Sequence, residues 1–173
     1  KVALERGAWR KQPTKVERLD SNIYECCLPE HIAAAMDELI RLFLGHARKN
    51  VPAEVQAAWL HHRFTEIHPF QDGNGRVARS LATLAFLRDG YFPLVVRGSD
   101  RNDYLYAIYA ADAGNLAPLV DLFGRLQKRA FVDALGISRE VLHEQASLEE
   151  IAAAAADRLH EVKRERERRM TNV

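Results

Sequence analysis

Residues 68–79 constrain this chain more than any other segment, because they end one helical pattern and begin another within twelve positions. They read His-Pro-Phe-Gln-Asp-Gly-Asn-Gly-Arg-Val-Ala-Arg. Pro69 ends the first helix because proline disfavours helical geometry at the residue before it. Gly73 and Gly75 permit positive φ angles. The sequence therefore predicts two helices joined by a short loop over residues 68–75.

Helical periodicity extends over most of the chain. Prolines or capping residues begin the helical patterns, and glycines follow several of them. The predicted helices span about 29–49, 52–67, 76–90, 99–114 and 116–135. No alternation of strands with helices indicates a parallel sheet. The predicted fold class is all-α.

One early segment and the C-terminal region depart from this pattern. Val16, Ile23 and Tyr24 flank a turn cluster at residues 20–22, which predicts a small β-hairpin within about residues 10–28. Ser147 and Glu150 fit a capping box that would open a final helix. This helix has one apolar stripe and a fully charged run at residues 163–169, which we interpret as a solvated or partner-packed face.

Composition excludes several classes of protein. The 173 residues are 47% apolar and 28% charged, which is typical of a globular domain, and the net charge of +1 does not indicate a nucleic-acid-binding protein. The only cysteines, Cys26 and Cys27, are adjacent and make poor disulfide partners, which favours a reducing cytoplasm. No apolar run is long enough to span a bilayer.

The loop combines residues that suit phosphate chemistry. Gly73 and Gly75 flank Asn74 and leave backbone N–H groups open to an approaching oxygen. The following helix directs its free N–H groups and its dipole to the same place. Arg76 and Arg79 are three positions apart, on one helix face, and a guanidinium can donate two hydrogen bonds to phosphate.

Three further side chains complete the predicted site. Asp72 can hold Mg²⁺, although a turn or capping role is the alternative. His68 can accept a proton near neutral pH. Phe70 is the apolar residue of the loop and is expected to anchor it in the core.

The segment resembles the signature of the Fic domain family, H-x-F-x-[DE]-G-N-G-R-x-x-R. Every defined position is matched, and Gly7, Trp9 and Arg10 resemble the family's segment that leads into a flap hairpin. The resemblance implies a Fic-type helical bundle over residues 1–136, with the hairpin as flap. Residues 137–173 would be a C-terminal helical extension.

The family resemblance also implies a reaction, protein adenylylation with ATP as co-substrate and Mg²⁺ as cofactor. His68 would deprotonate a serine, threonine or tyrosine hydroxyl of a target protein, and AMP would be transferred with release of pyrophosphate. Asp72 would hold Mg²⁺, and Asn74 with the N–H groups of Gly73 and Gly75 would form an anion hole. Arg76 would contact the phosphates and Arg79 the γ-phosphate.

The resemblance implies partners as well. The protein substrate would dock along the flap hairpin. The inhibitory motif [ST]-x-x-x-E-[GN] of many Fic proteins is not found, so an inhibitory glutamate would lie before Lys1 or on a separate antitoxin-like protein, or would not exist. A homodimer is left open, and no membrane or nucleic-acid partner is expected. The expected location is the cytoplasm, or that of another cell if the chain belongs to a secreted effector.

Several alternatives stay open on the sequence alone. The same fold could transfer another nucleotide or phosphate-containing group, or the chain could be a non-catalytic binding or regulatory module. His61, His62 and His68 could form a metal cluster, but their spacing is not that of a zinc site. Three tyrosines are most simply packing residues, one or more of which could line an adenine pocket; they are Tyr104, Tyr106 and Tyr109.

Overall fold

The computed structural model describes residues 7–17, 23–135 and 148–171. Within these ranges the chain forms a two-stranded antiparallel hairpin and six α-helices, which confirms the predicted all-α class with a small hairpin. The strands are β1 (Lys15–Glu17) and β2 (Ile23–Glu25). The helices are α1 (Ile32–Arg48), α2 (Ala53–Ile67), α3 (Asn74–Arg88), α4 (Arg101–Asp112), α5 (Ala117–Ala134) and α6 (Leu148–Thr171).

Two helix starts differ from the sequence-based prediction. Pro29 lies in a 3₁₀ turn, Pro29–His31, that leads into α1, because tight i to i+3 turns often precede an α-helix. Helix α3 begins at Asn74 rather than near Arg76, so its first turn contains Gly75. The phosphate-binding residues predicted in the loop are therefore partly residues of the helix itself.

Helix α2 is the centre of the bundle and packs against α1, α3, α4 and α5. Residues are buried on nearly all of its sides, which explains why its hydrophobic pattern is weak. Small residues allow α2 and α3 to approach closely, because each buries alanines; these are Ala53, Ala57 and Ala58 of α2 and Ala78, Ala82 and Ala85 of α3. This pairing brings the last residue of α2 and the first turn of α3 to the same end of the bundle.

The hairpin lies against that same end. Its register pairs Val16 with Tyr24, and the turn residues 20–22 fall outside the described ranges. Cys26 and Cys27 lie just after β2 and connect the hairpin to the core. The Cys27 N–H donates to the Glu66 carbonyl at 3.3 Å, and the Cys26 side chain is buried.

Helix α6 confirms the predicted C-terminal helix, and its described part includes the charged run. The predicted capping residue Ser147 and the proposed domain boundary at residue 136 both lie outside the described residues. None of the helices in the described ranges has the length and apolar character needed to cross a membrane.

Candidate active site

His68 is the residue at which α2 ends. Its backbone has the left-handed conformation, with φ 50° and ψ 56°, which is uncommon outside glycine. The following proline prevents the helix from continuing, and the His68 N–H still donates to the Phe64 carbonyl at 2.9 Å. The turn folds the imidazole back over the last turn of α2, where its Nδ1 lies 3.2 Å from the Thr65 carbonyl oxygen.

That contact determines the protonation of the ring. A carbonyl oxygen can only accept a hydrogen bond, so Nδ1 carries the proton and Nε2 keeps its lone pair. Partial burial lowers the pKa of His68 below its usual value, and the positive charge of Arg10 acts in the same direction, while the bond to Thr65 opposes them. His68 is therefore neutral at neutral pH and has Nε2 available as a base.

Arg10 holds the end of α2 in place. Its guanidinium donates to the carbonyls of His68 at 2.7 Å, Gln12 at 2.8 Å and Ile67 at 3.3 Å, and also to that of Cys27. The Arg10 N–H donates to the Pro69 carbonyl at 2.8 Å. A buried arginine at the C-terminal end of a helix satisfies carbonyls that have no partner within the helix. It joins the flap segment, α2 and the loop.

The loop after His68 is held by apolar ring contacts of Phe70 and by hydrogen bonds of Asn74. The Phe70 ring packs on Trp9 and Phe64, with ring centroids 5.2 and 6.2 Å apart. The buried side chain of Asn74 closes the loop, since it accepts from the Phe70 N–H at 2.9 Å and donates to the Phe70 carbonyl at 2.8 Å. Both ends of the Asn74 amide are thus engaged within the loop, and its backbone N–H is the group left to face a phosphate.

The first turn of α3 is the second half of the site. Gly73 precedes it with φ 83° and makes no side-chain capping bond. The first N–H groups of a helix have no acceptor within the helix, so this end can receive an anion. The Asp72 Oδ1 accepts from the Gly73 N–H at 2.6 Å, and its Oδ2 lies 3.2 Å from an Arg76 guanidinium nitrogen. Both side chains of this ion pair are mostly exposed.

The two motif arginines differ in environment. Arg76 points into solvent beside Asp72. Arg79 is half-buried and lies over Gly75, where a Cβ atom would be 3.5 Å from the Arg79 Nη1. Burial raises the pKa of Tyr104 on α4, and the positive charge of Arg79 opposes that rise. The two arginines were predicted on one face of α3. Near the N-terminal end of this helix, Arg76 is exposed and Arg79 is partly enclosed.

The histidine cluster considered above is not a metal site in the described part of the chain, where no three His, Cys, Asp or Glu side chains are placed to hold a metal. His61 Nε2 lies 2.7 Å from the Tyr104 Oη, and His62 donates from Nε2 to the Asp112 Oδ1 at 2.9 Å. Tyr104 is a packing residue with a polar contact, whereas Tyr106 is exposed.

Sequence reasoning missed two residues that shape the base. Arg10 is 58 positions from His68 and has no periodic relation to it. Thr65 acts through its backbone carbonyl, so its residue type carries no signal. For Arg10 the only available clue was its place in the segment that resembles the family's flap entrance.

Comparisons with known proteins point to one family. Residues 2–86 match the sequence profile described as the Fic/DOC family. Protein adenylyltransferase Fic of Nematostella vectensis is 38% identical over 78 residues, which cover 45% of this chain and 18% of that protein. Protein adenylyltransferase Fic of Culex quinquefasciatus is 32% identical over 111 residues, which cover 63% of this chain and 22% of that protein.

A solved structure supports the fold. A Fic-domain-containing signaling protein from Bacteroides thetaiotaomicron is 27% identical and superposes with a TM-score of 0.69, over 80% of this chain and 59% of that one. The chain spans only about a fifth of the length of the two curated relatives. The complete motif, the helical bundle with its hairpin and the matching profile lead to one conclusion: the chain belongs to the Fic/DOC family.

Proposed function

We propose that this chain is a protein adenylyltransferase, which transfers AMP from ATP to a hydroxyl side chain of a target protein. The observation that carries the proposal is the neutral His68, whose Nδ1 is bound to the Thr65 carbonyl and whose Nε2 is left to accept a proton. It stands next to an uncapped helix end suited to phosphate. The names of the two curated relatives support the same reaction.

His68 acts as the general base. Its Nε2 takes the proton from a serine, threonine or tyrosine hydroxyl of the target. The hydroxyl oxygen forms a bond to the α-phosphorus of ATP, and the bond from that phosphorus to the oxygen bridging to the β-phosphate breaks. Pyrophosphate leaves with the bonding electrons. Because His68 stands beside the helix end that would hold the phosphates, the reacting groups are already positioned, and this positioning lowers the barrier.

The first turn of α3 binds the phosphates. The N–H groups of Asn74 and Gly75 offer hydrogen bonds to phosphate oxygens, and the helix dipole favours their negative charge. Arg76 is exposed and free to turn from Asp72 to a phosphate, since an exposed ion pair is worth little. Arg79 contacts the γ-phosphate end. Together these groups counter the charge that develops on the leaving pyrophosphate.

The donor set at Asp72 fits a magnesium ion. Mg²⁺ is usually held by one or two carboxylates together with phosphate oxygens and waters. Asp72 is one exposed carboxylate at the phosphate end, and among the described residues its Oδ2 pairs with the exposed Arg76 side chain. When bound, Mg²⁺ would supply charge neutralisation to the phosphates.

The hairpin would align the target. Within the two-stranded sheet each strand pairs on one side only, so each keeps an outer edge that can accept an extended peptide by strand addition. The hairpin connects to the end of α2 through Cys27 and Glu66. A peptide paired with an outer edge of the hairpin would therefore lie near the end of α2 and His68.

Radioactive labelling tests the proposal. The chain is incubated with Mg²⁺ and ATP labelled at either the α- or the γ-phosphate, with and without cell lysate, beside His68→Ala. We expect protein labelling from the α-label only, lost in the variant and on removal of Mg²⁺ with EDTA. Labelling from the γ-label would instead establish phosphoryl transfer. No labelling with ATP or any other nucleoside triphosphate, in any lysate, would exclude nucleotidyl transfer and favour a binding module.

A further inference from the structure

The last turn of α2 carries four successive carbonyl groups, and each has a hydrogen-bond partner that is not part of the helical ladder. The carbonyl of Thr65 lies 3.2 Å from the His68 Nδ1, and that of Glu66 accepts from the Cys27 N–H at 3.3 Å. The next two carbonyls accept from the Arg10 guanidinium at 3.3 and 2.7 Å. The base and the segment that follows the hairpin are therefore attached to one helical turn.

The side chain of Glu66 also reaches the hairpin. The hydroxyl of Tyr24, the middle residue of β2, donates to the Glu66 Oε1 across 3.4 Å. This is long for a hydrogen bond between two oxygens, but the acceptor is a carboxylate, and bonds to charged groups are the stronger ones. Burial, and then the negative charge of Glu66, raise the pKa of Tyr24 to about 12, so the hydroxyl keeps its proton and remains the donor.

The pleat of β2 directs Tyr24 inward. Side chains of a strand alternate between its two faces, and in β2 the flanking Ile23 and Glu25 are exposed while Tyr24 is half-buried. Glu25 pairs with Lys15 of β1 at 2.7 Å, and both of these side chains are exposed. A two-stranded hairpin is only marginally stable by itself, so the contacts of its inner face with α2 determine where the strand lies.

The Glu66 carboxylate is itself held in place by α2. Its Oε2 accepts from the Arg63 guanidinium at 2.6 Å, since residues three positions apart lie on the same face of a helix. This pairing leaves Oε1 to accept from Tyr24. The Glu66 side chain is 22% exposed, so solvent screens these contacts only in part. The contacts from Arg63 through Glu66 to Tyr24 therefore join the strand to the turn that carries His68.

We propose that Glu66 is a positioning residue, which holds β2 at a fixed place relative to His68 through the Tyr24 hydroxyl and so sets how a target hydroxyl is presented to the base. The inference rests on the proposed function, in which a target peptide pairs with an edge of the hairpin. An error of about 1 Å in the placement of a reacting group can lower a rate about a hundredfold. A displaced strand therefore slows transfer to the protein target, while ATP binding at the first turn of α3 is unaffected.

The kinetics of labelling with α-labelled ATP test the inference. The most strongly labelled protein of a cell lysate is followed while either the lysate or ATP is varied. Glu66→Ala should lower the labelling rate at limiting lysate about tenfold and change the half-saturating ATP concentration less than about twofold. Tyr24→Phe removes only the hydroxyl and should lower that rate about threefold. Glu66→Gln keeps an oxygen that can accept from Tyr24 and should retain most of the native rate.

Glu38→Ala is the matched control, because it removes a carboxylate from the same kind of arginine pair, three positions apart, on α1. It should change neither quantity. Added to Glu66→Ala, Tyr24→Phe should lower the rate little further, because the acceptor of its hydroxyl is already gone. Circular dichroism checks folding, and Tyr24→Phe keeps the test available if Glu66→Ala does not fold.

Three kinetic results would overturn the inference. They are equal rates for Glu38→Ala and Glu66→Ala, a loss in Glu66→Ala that comes with a matching rise in the half-saturating ATP concentration, and fully additive effects of Glu66→Ala and Tyr24→Phe.

Hydrogen exchange measures the anchoring of the hairpin without the reaction. In Glu66→Ala the amides of β2 and Cys27 should exchange about threefold faster or more, and those of α3 should be unchanged. Unchanged exchange in the hairpin would refute the anchoring. If the native chain labels its target and Glu66→Ala labels it alike, the positioning role alone is refuted. If the native chain labels nothing but the hairpin exchange responds as expected, the transferase reaction is refuted and the anchoring stands.

Discussion

The two helix ends that meet at the site are built in opposite ways. The end of α2 is held by Arg10, by the Thr65 carbonyl and by the apolar contacts of Phe70. The start of α3 has no side-chain cap, and the Asp72–Arg76 pair beside it is exposed. In the proposed reaction the proton acceptor is therefore fixed before any substrate arrives, whereas the half proposed to bind phosphate can rearrange around its ligand. A base must have one tautomer and one direction, while a triphosphate and its metal bring charges that organise flexible partners.

The largest effect is expected at the fixed end. His68→Ala removes the base and should lower the labelling rate by about 10²–10⁴-fold, while ATP affinity changes little because the phosphate-binding residues remain. Labelling assays and calorimetry measure the two quantities. His160→Ala, a replacement at an exposed position of α6, is the control and should leave both unchanged. A His68→Ala chain that labels at the normal rate would refute the general-base role.

Arg10→Ala tests whether the α2 end is held as described. Several buried or half-buried carbonyls lose their donor at once, so we expect the free energy of unfolding to fall by about 3 kcal/mol. The labelling rate should fall as well, because His68 loses its support. Urea denaturation measures the stability. Arg41→Ala removes an exposed guanidinium paired with Glu38 and should have little effect. If Arg10→Ala and Arg41→Ala changed the stability and the labelling rate equally, Arg10 would not be the residue that holds the end of α2.

Gly73 and Gly75 form a matched pair at the end proposed to bind phosphate. Gly73→Ala forces a side chain into φ 83° and against Arg76, and should destabilise the chain by about 1–2 kcal/mol. Gly75 has ordinary helical φ and room for a Cβ, so Gly75→Ala should keep or raise stability by up to about 1 kcal/mol. It should nevertheless weaken ATP binding, because the methyl group lies where a phosphate would approach. Denaturation and calorimetry separate these effects, and normal ATP binding by Gly75→Ala would show that the phosphates lie elsewhere.

The smallest effect concerns pH. Burial and the charge of Arg10 lower the pKa of His68, so the neutral base persists below the usual histidine range. The rate should fall on the acidic side as His68 is protonated, with a midpoint below pH 6.5, and at pH 6.5 it should stay within about twofold of its plateau. A profile of kcat/KM against pH, over a range in which circular dichroism shows the chain folded, measures this. A midpoint above 6.5 would mean that burial does not dominate the environment of His68.

The fold was largely predictable because its signals are local. Prolines and capping residues mark helix starts, and the period of the apolar residues marks helix faces. The predicted start of α3 was wrong because glycine is typical both of loops and of the residues next to helix ends. Asn74 and Gly75 were predicted as loop residues, but they form the first turn of α3. Likewise, α2 gave a weak pattern because it is surrounded on nearly all sides. Its two buried histidines, His61 and His62, could be considered as metal ligands on the sequence, although their spacing is not that of a zinc site.

The sequence by itself determined which chemical groups stand at the candidate site, because all of them fall within twelve consecutive positions. They are His68, Asp72, Gly73, Gly75, Arg76 and Arg79. Their proximity follows from the chain, whatever the rest of the bundle does. Only the tertiary structure decided the protonation of His68 and the contacts of the residues that support the site. Burial and the carbonyl of Thr65 set the tautomer and pKa of His68, and the carbonyls that Arg10 joins come from three segments of the chain. Tyr104, 43 positions beyond His61, is brought to it by the packing of α4 against α2. Such effects depend on distances through space, which one-dimensional spacing does not encode.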